Sequence, residues 1–138
     1  MCLNARPRRS RRAPFFLHDI LISYMKLVND PLSIAELTTM GNRMFGGLVK
    51  GVVDVKKNIL ILDAALHADE EQELLKQGSS QDDLWGINLY PELYGTDDFI
   101  EYDSMINVRP SLHNLSRTIE SEEVKKKIVD LIQKLIIP

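Results

Sequence analysis

The sequence predicts an α+β fold. It reads as a single-domain, two-layer sandwich in the order β-α-β-β-α-β-β-α, with a ferredoxin-like split βαβ core to which a strand and a C-terminal helix are added. Three observations predict it. Ser33-Ile34-Ala35-Glu36 is a capping box opening a stretch of helical apolar spacing. Val49 to Asp63 reads as two strands about a turn at Lys56-Lys57-Asn58. From Ser121 onward, Val124, Ile128, Leu131, Ile132 and Leu135 form one helical stripe.

Met25 to Val28 is the first strand, ended by the turn-forming run Asn29-Asp30-Pro31. In the first helix, Ile34, Leu37, Gly41, Met44 and Phe45 recur at helical spacing, and Gly46-Gly47 stops it. Ile59-Leu60-Ile61-Leu62 is apolar without alternation, so this strand is expected to be central and covered on both faces. A helix follows over Asp69 to Gln77, with Asp69 as N-cap and Gly78 as stop. Ser79 to Asp83 is a polar loop, and strands are predicted over Leu84–Tyr90 and Phe99–Val108.

Composition narrows the classes of function. The chain has 138 residues, 44% hydrophobic and 27% charged, which suits one soluble domain of 25–138. Its longest apolar run, Phe15 to Val28, is broken by His18, Asp19 and Lys26, so no membrane span is expected. The one cysteine is Cys2, which suits a reducing cytoplasm and excludes a disulfide or thiolate metal site in the domain.

Charge is unevenly placed. Residues 1–24 hold five of the 17 basic residues and one of the 20 acids, leaving 12 and 19, a net of -7, for the rest. Such a domain repels phosphate backbones, so nucleic-acid binding is expected only through the Arg-rich extension. The segment NARPRRSRRAPFF reads as a basic arm, a targeting peptide or, the favoured reading, a disordered extension preceding a domain that opens at Met25.

GINLYP (86–91) and MINVRP (105–110) place Ile-Asn at matching points of two predicted strands. If these pair as a hairpin, Trp85, Ile87, Leu89, Ile100, Tyr102, Ile106 and Val108 share the core face. Asn88, Tyr90, Glu101, Asp103, Asn107 and Arg109 then share the other. Asn and Asp are poor strand formers, so three of them on this face call for a compensating interaction. That interaction is an internal hydrogen-bond network, an oligomer interface or a ligand.

Arg109 and Arg117 offer planar donors for carboxylate or phosphate, with Asn114 in the same loop, and internal salt bridges are the competing account. His67, in His-Ala-Asp, stands where a central strand meets a helix; with Asp103 it is a candidate proton-transfer group, against the plainer reading of a loop histidine. No metal site or cofactor is called for. Gly-rich phosphate loops, a Gly-x-Ser-x-Gly elbow, His-Glu-x-x-His and Cys-x-x-Cys are all missing.

The segments LHADEEQELLKQGSSQDDLWGINLYP and YDSMINVRPSLHNLSR resemble a family of short prokaryotic proteins known as a domain of unknown function. The matching positions are His67, Ala68, Asp69, Gly78, Ser79, Gln81, Asp83, Leu84, Trp85, Gly86, Asn88, Asn107, Arg109 and Pro110. The resemblance spans roughly 25–138 and implies no reaction. It carries a glycine where this chain has His113, which lowers interest in that histidine.

Two expectations of function follow. One is a small anionic ligand on the polar sheet face, held by Asn88, Glu101, Asn107, Arg109, Asn114 and Arg117. The other is an assembly module in which the sheet face left open by the helices is covered by another copy.

Overall fold

The computed structural model describes residues 24–44 and 46–138, so Cys2, the Arg-rich segment and Phe45 lie outside the described residues. It is a mixed α+β domain: three helices on a five-stranded antiparallel sheet, with a second small sheet.

Strand β1 (Lys26–Val28) leads to β2 (Leu32–Ser33) and α1 (Ile34–Arg43), where both bonds of the capping box form. Gly46 and Gly47 both have positive φ just past its end. Then come β3 (Val49–Asp54) and β4 (Ile59–Leu62), with Asn58 in the left-handed region between them at φ 55°. Asp54 anchors this hairpin by accepting the amides of Lys56 and Lys57 and the hydroxyl of Ser79. After α2 (His67–Lys76) come β5 (Leu84–Leu89), β6 (Ile100–Glu101), α3 (Glu122–Leu135) and β7 (Ile136–Ile137). Helix α2 starts two residues before the predicted N-cap Asp69, and Leu66 occupies the cap position with no side-chain bond.

The strand order is β1-β4-β3-β5-β6. A ferredoxin-like sheet would place β5 beside β1; here β5 pairs with β3 over six residues, Val49↔Leu89 to Asp54↔Leu84. The small sheet, unforeseen in the sequence, pairs β2 with β7 in parallel through Leu32↔Ile136 and Ser33↔Ile137.

Both sheet faces are covered, where two layers were expected. On the first face, Val49, Val53, Leu60, Leu62, Trp85, Ile87 and Leu89 pack with Leu37 and Met40 of α1 and Ile128, Leu131, Ile132 and Leu135 of α3. The alternate residues Val52, Ile61 and Leu84 pack with Leu74 of α2 and, at its margin, Ile106. Strand β4, buried on both faces between β1 and β3, has the central place its unbroken apolar run predicts.

The hairpin partner predicted over 99–108 ends after two residues. Beyond Glu101 the chain leaves the sheet, and Met105–Asn107 form a 3₁₀ turn. The open edge of β5 is satisfied by a side chain instead. Gly86 N–H donates to Asn107 Oδ1 (2.8 Å), and Asn107 Nδ2 donates to Gly86 O (3.0 Å), so the amide mimics a strand residue. Gly86 has to be glycine here, because a Cβ would sit 2.6 Å from Ser104 Cβ.

Replacing Asn107 leaves two buried backbone groups of β5 without partners. Asn107→Ala is expected to lower unfolding free energy by about 2 kcal/mol in urea denaturation. Asn107→Asp, which keeps only the acceptor and sets a carboxylate against Gly86 O, is expected to be at least as damaging.

Candidate functional site

The polar residues of the second sheet face gather at one end of it. Register lines up Lys50 of β3, Asn88 of β5 and Glu101 of β6 as successive cross-strand partners. Asp63 extends this row beyond β4, its amide donating to Lys50 O at 3.1 Å. Asn88 is buried, and its Nδ2 donates to Glu101 Oε1 (2.8 Å) and to the carbonyl of Asp103 (3.2 Å). Two acceptors on that side fix the amide's orientation, and its Oδ1 is left buried with no partner. The Tyr90 hydroxyl reaches both oxygens of Glu101 at 3.3 Å.

Helix α2 lays its first turn over this row. His67, Glu70 and Leu74 form its buried stripe. His67 donates its Nε2 proton to Ile87 O at 2.8 Å, since a carbonyl can only accept, so the ring is the Nε2–H tautomer with Nδ1 bare. Burial lowers its pKa to about 4, with the field of Lys50 adding to the drop and Asp103 opposing it. The ring is therefore neutral at physiological pH and a weak base.

Glu70 is fully buried, and neither carboxyl oxygen has a hydrogen-bond partner. Desolvation raises its pKa well above the ordinary value, against the pull of Lys50, so the side chain is a neutral acid. Asp63, also raised by burial, is held by an ion pair with Arg43.

The two arginines expected to clamp a ligand are occupied and separate. Arg109 is buried, with Nη2 on Glu71 Oε2 at 3.1 Å and its guanidinium 5.0 Å from the centre of the Trp85 ring. Its Nη1 is buried without a partner. It joins a side chain of α2 to one in the core of the opposite face across the open edge of β5. Arg117 lies at the rim, donating to Asp103 Oδ1 at 2.7 Å, half exposed.

Asn107 and Asn114 are buried parts of the framework. Asn114 Nδ2 donates to the carbonyls of Asn107, Ser116 and Thr118, and its Oδ1 accepts from Glu120 N–H. His113 before it is left-handed, at φ 57°, a conformation that favours glycine.

The structure thus brings together His67, Asn88, Glu101, Asp103 and Arg117, and sets Asn107, Asn114 and Arg109 in the supporting loop. Asp69 turns away from the stripe. Lys50 and Glu70 were missed, though Glu70 was legible: it stands three residues after His67 and four before Leu74, the spacing of one helix face. Among the described residues, no group of three or more His, Cys, Asp or Glu is placed to hold a metal ion.

Hollows among the described residues lie apart from this row or at its margin. One of about 370 Å³ lies between the Tyr94–Phe99 turn and α3, and one of about 520 Å³ is lined by Asp82, Asp83, Trp85, Leu112 and Glu120. A third, about 300 Å³, touches the row at Asp63. Along the row itself Lys50, Tyr90 and Glu101 are partly exposed around a buried Asn88, beneath the first turn of α2. Among the described residues, the buried side-chain atoms without a partner are Asn88 Oδ1 and both oxygens of Glu70 at this row, and Arg109 Nη1.

Comparison with known families matches residues 26–135 to DUF5674, described as a protein of unknown function. The chain belongs to that family. The DUF5674 match takes in every residue of the row, α2 and the loop that carries Asn107, Arg109 and Asn114. No curated protein and no solved structure matches the chain.

Two outcomes test the electrostatics of this DUF5674 site. Arg109→Ala removes one partner of a buried ion pair and is expected to cost about 3 kcal/mol in denaturant unfolding, with no dependence on any ligand.

Glu70 and His67 act in opposite directions with pH. Glu70 has a raised folded pKa, so stability is full below its unfolded value and falls as pH rises toward the folded one, by roughly 1.4 kcal/mol per pH unit. His67 has a lowered folded pKa, so stability is lost as pH falls from 6.5 toward about 4. Glu70→Gln is expected to raise the melting temperature at pH 8 and to lose that advantage near pH 4. An equal effect at both pH values would contradict a buried neutral Glu70.

Proposed function

We propose that this domain binds a small molecule carrying an anionic group on the polar shelf of its second sheet face, with Lys50 as the inner cation and Arg117 at the rim. Buried polar atoms normally find partners. At this shelf Asn88 Oδ1 and both oxygens of Glu70 have none, which marks the place, and the observation that carries the anionic part of the reading is Lys50, partly exposed and without an ion pair among the described residues.

The supporting chemistry is ordered in depth. His67 is held as a neutral ring by Ile87 O, Glu70 stays protonated, and Asn88 is fixed by Glu101 and the Asp103 carbonyl. Lys50 forms no ion pair among the described residues, so its charge remains available. Should the site perform chemistry, Asp103 at the rim is better placed for proton exchange with solvent than His67, whose remaining nitrogen is a weak base. Arg109, Asn107 and Asn114 serve the ligand indirectly, by holding the loop.

A second reading is assembly. Met105, Val108, Leu112 and Leu115 are exposed apolar side chains in one segment, and a second copy of the chain is the partner we favour for them. We assign the protein to the cytoplasm of a prokaryotic cell, on its cysteine-free domain and on the family it resembles. No helix among the described residues is long and apolar enough to cross a membrane. Contact with nucleic acid falls to the Arg-rich segment.

A thermal-shift screen with phosphates, carboxylates and nucleotides tests the first reading. Ligand at a hundredfold excess over Kd adds about 2.7 kcal/mol of stability, a readily measured shift. Lys50→Met is expected to abolish the shift while leaving the ligand-free melting temperature within a few degrees. A shift that survives Lys50→Met, or a panel with no shift, overturns it; a dimer in light scattering that Leu115→Ser dissolves would favour the second.

A further inference from the structure

Apart from the shelf, we infer that the hollow between the Tyr94–Phe99 turn and α3 binds a small aryl amine, its ring among Tyr94, Phe99 and Tyr102 and its ammonium group at Asp97. The hollow has a volume of about 370 Å³, at the small end of the range that ligand sites occupy, which suits a molecule of one ring. It lies at the β6 edge of the sheet.

The chain builds its walls from two directions. Ile100 and Tyr102, two residues apart, both pack at the margin of the first-face core, while Val129, Ile132 and Gln133, three and four apart, share one side of α3. Phe99, Ile132 and Ile136 are the buried members of the lining. Tyr94 is held edge to face against Phe99, with ring centres 5.2 Å apart and planes at 88°. Three lining side chains are thus rings, and a flat ligand can meet them in the stacked or edge-to-face contacts that rings favour. Left to water, the lining keeps apolar surface hydrated, and a ligand that fills the hollow removes that surface.

The polar part of the lining sets the sign of the ligand. Asp97 is the one charged residue in the described lining, it is exposed in the turn, and it makes no ion pair among the described residues. Thr96 is spent locally, its hydroxyl donating to Leu93 O and accepting from Asp98 N–H. Gln133, also exposed, adds a neutral amide whose carbonyl can accept. Lys125 lies 5.3 Å from the centre of the Tyr102 ring and is itself paired with Glu122 at 3.7 Å. An anion would meet Asp97 unopposed; an amine gives it the partner it lacks.

The test uses the full chain with phenethylamine, phenylacetate and cyclohexylethylamine, read by calorimetry and by chemical-shift changes in labelled protein. We expect saturable binding of phenethylamine that shifts the signals of Tyr94, Phe99 and Val129. It is expected to bind roughly tenfold tighter than phenylacetate, because an exposed carboxylate adds about a factor of three for one sign of charge and removes as much for the other. Cyclohexylethylamine, which has no π face, is expected to bind about threefold more weakly. Asp97→Asn, a change in the exposed turn that leaves the core alone, is expected to bring phenethylamine and phenylacetate to equal affinity.

No saturable binding of phenethylamine, shifts that fall outside the hollow, or a preference over phenylacetate that survives Asp97→Asn overturns the site. Equal affinity for cyclohexylethylamine overturns the aromatic part of the assignment. The anion reading of the shelf is decided by Lys50→Met and is untouched by these outcomes.

Discussion

The structure depends on how the edge of β5 is closed. A six-residue strand buried along its whole length has to satisfy its backbone on two sides, and β6 serves only its last two residues. Asn107 supplies to Gly86, from a loop, what one further paired residue would have supplied. Once that amide is seated, its neighbours have little freedom: Asn114 ties the same loop through four bonds, and Arg109 is carried to Glu71 and Trp85. The loop behaves as a wedge against the sheet, and Gly86 is the hollow it fits.

This closure separates two roles that the residue types alone make look alike. Asparagines and arginines close in sequence suggest one recognition surface, yet Asn107, Asn114 and Arg109 spend their hydrogen bonds inside the protein. Apart from Arg109 Nη1, the buried side-chain atoms left without partners among the described residues belong to Asn88 of the row and to Glu70 in the first turn of α2. Burying a carboxylic acid such as Glu70 without a partner is a standing loss, and proteins carry such losses where function asks for them.

Legibility followed locality. The capping box of α1, the left-handed Asn58 and the stripe of α3 depend on residues within one or two turns, and each lies where the residues predict it. The strand over 99–108 is cut short because the competition is nonlocal: its pattern suits a strand, but an asparagine side chain replaces the backbone pairing it would have made. The same holds for strand order, since nothing in β5 itself says whether β1 or β3 is its neighbour. At the site, poor strand formers at Asn88, Asp103 and Asn107 did announce a compensating interaction, and for Asn88 and Asn107 much of it is internal hydrogen bonding. Lys50 was hidden because one lysine in a strand of alternating sequence resembles any solvated lysine.

The short parallel pairing of β2 with β7 has a consequence for how the protein is made. Leu32 and Ile136 lie near opposite ends of the domain, so the small sheet closes only when both are present. The last helix, which fills one face of the main sheet, comes immediately before β7. A chain that folds from its N-terminus as it is made cannot complete this core until α3 and β7 have been added. Until then, α1 and the first face of the sheet wait with the apolar surface that α3 covers left bare.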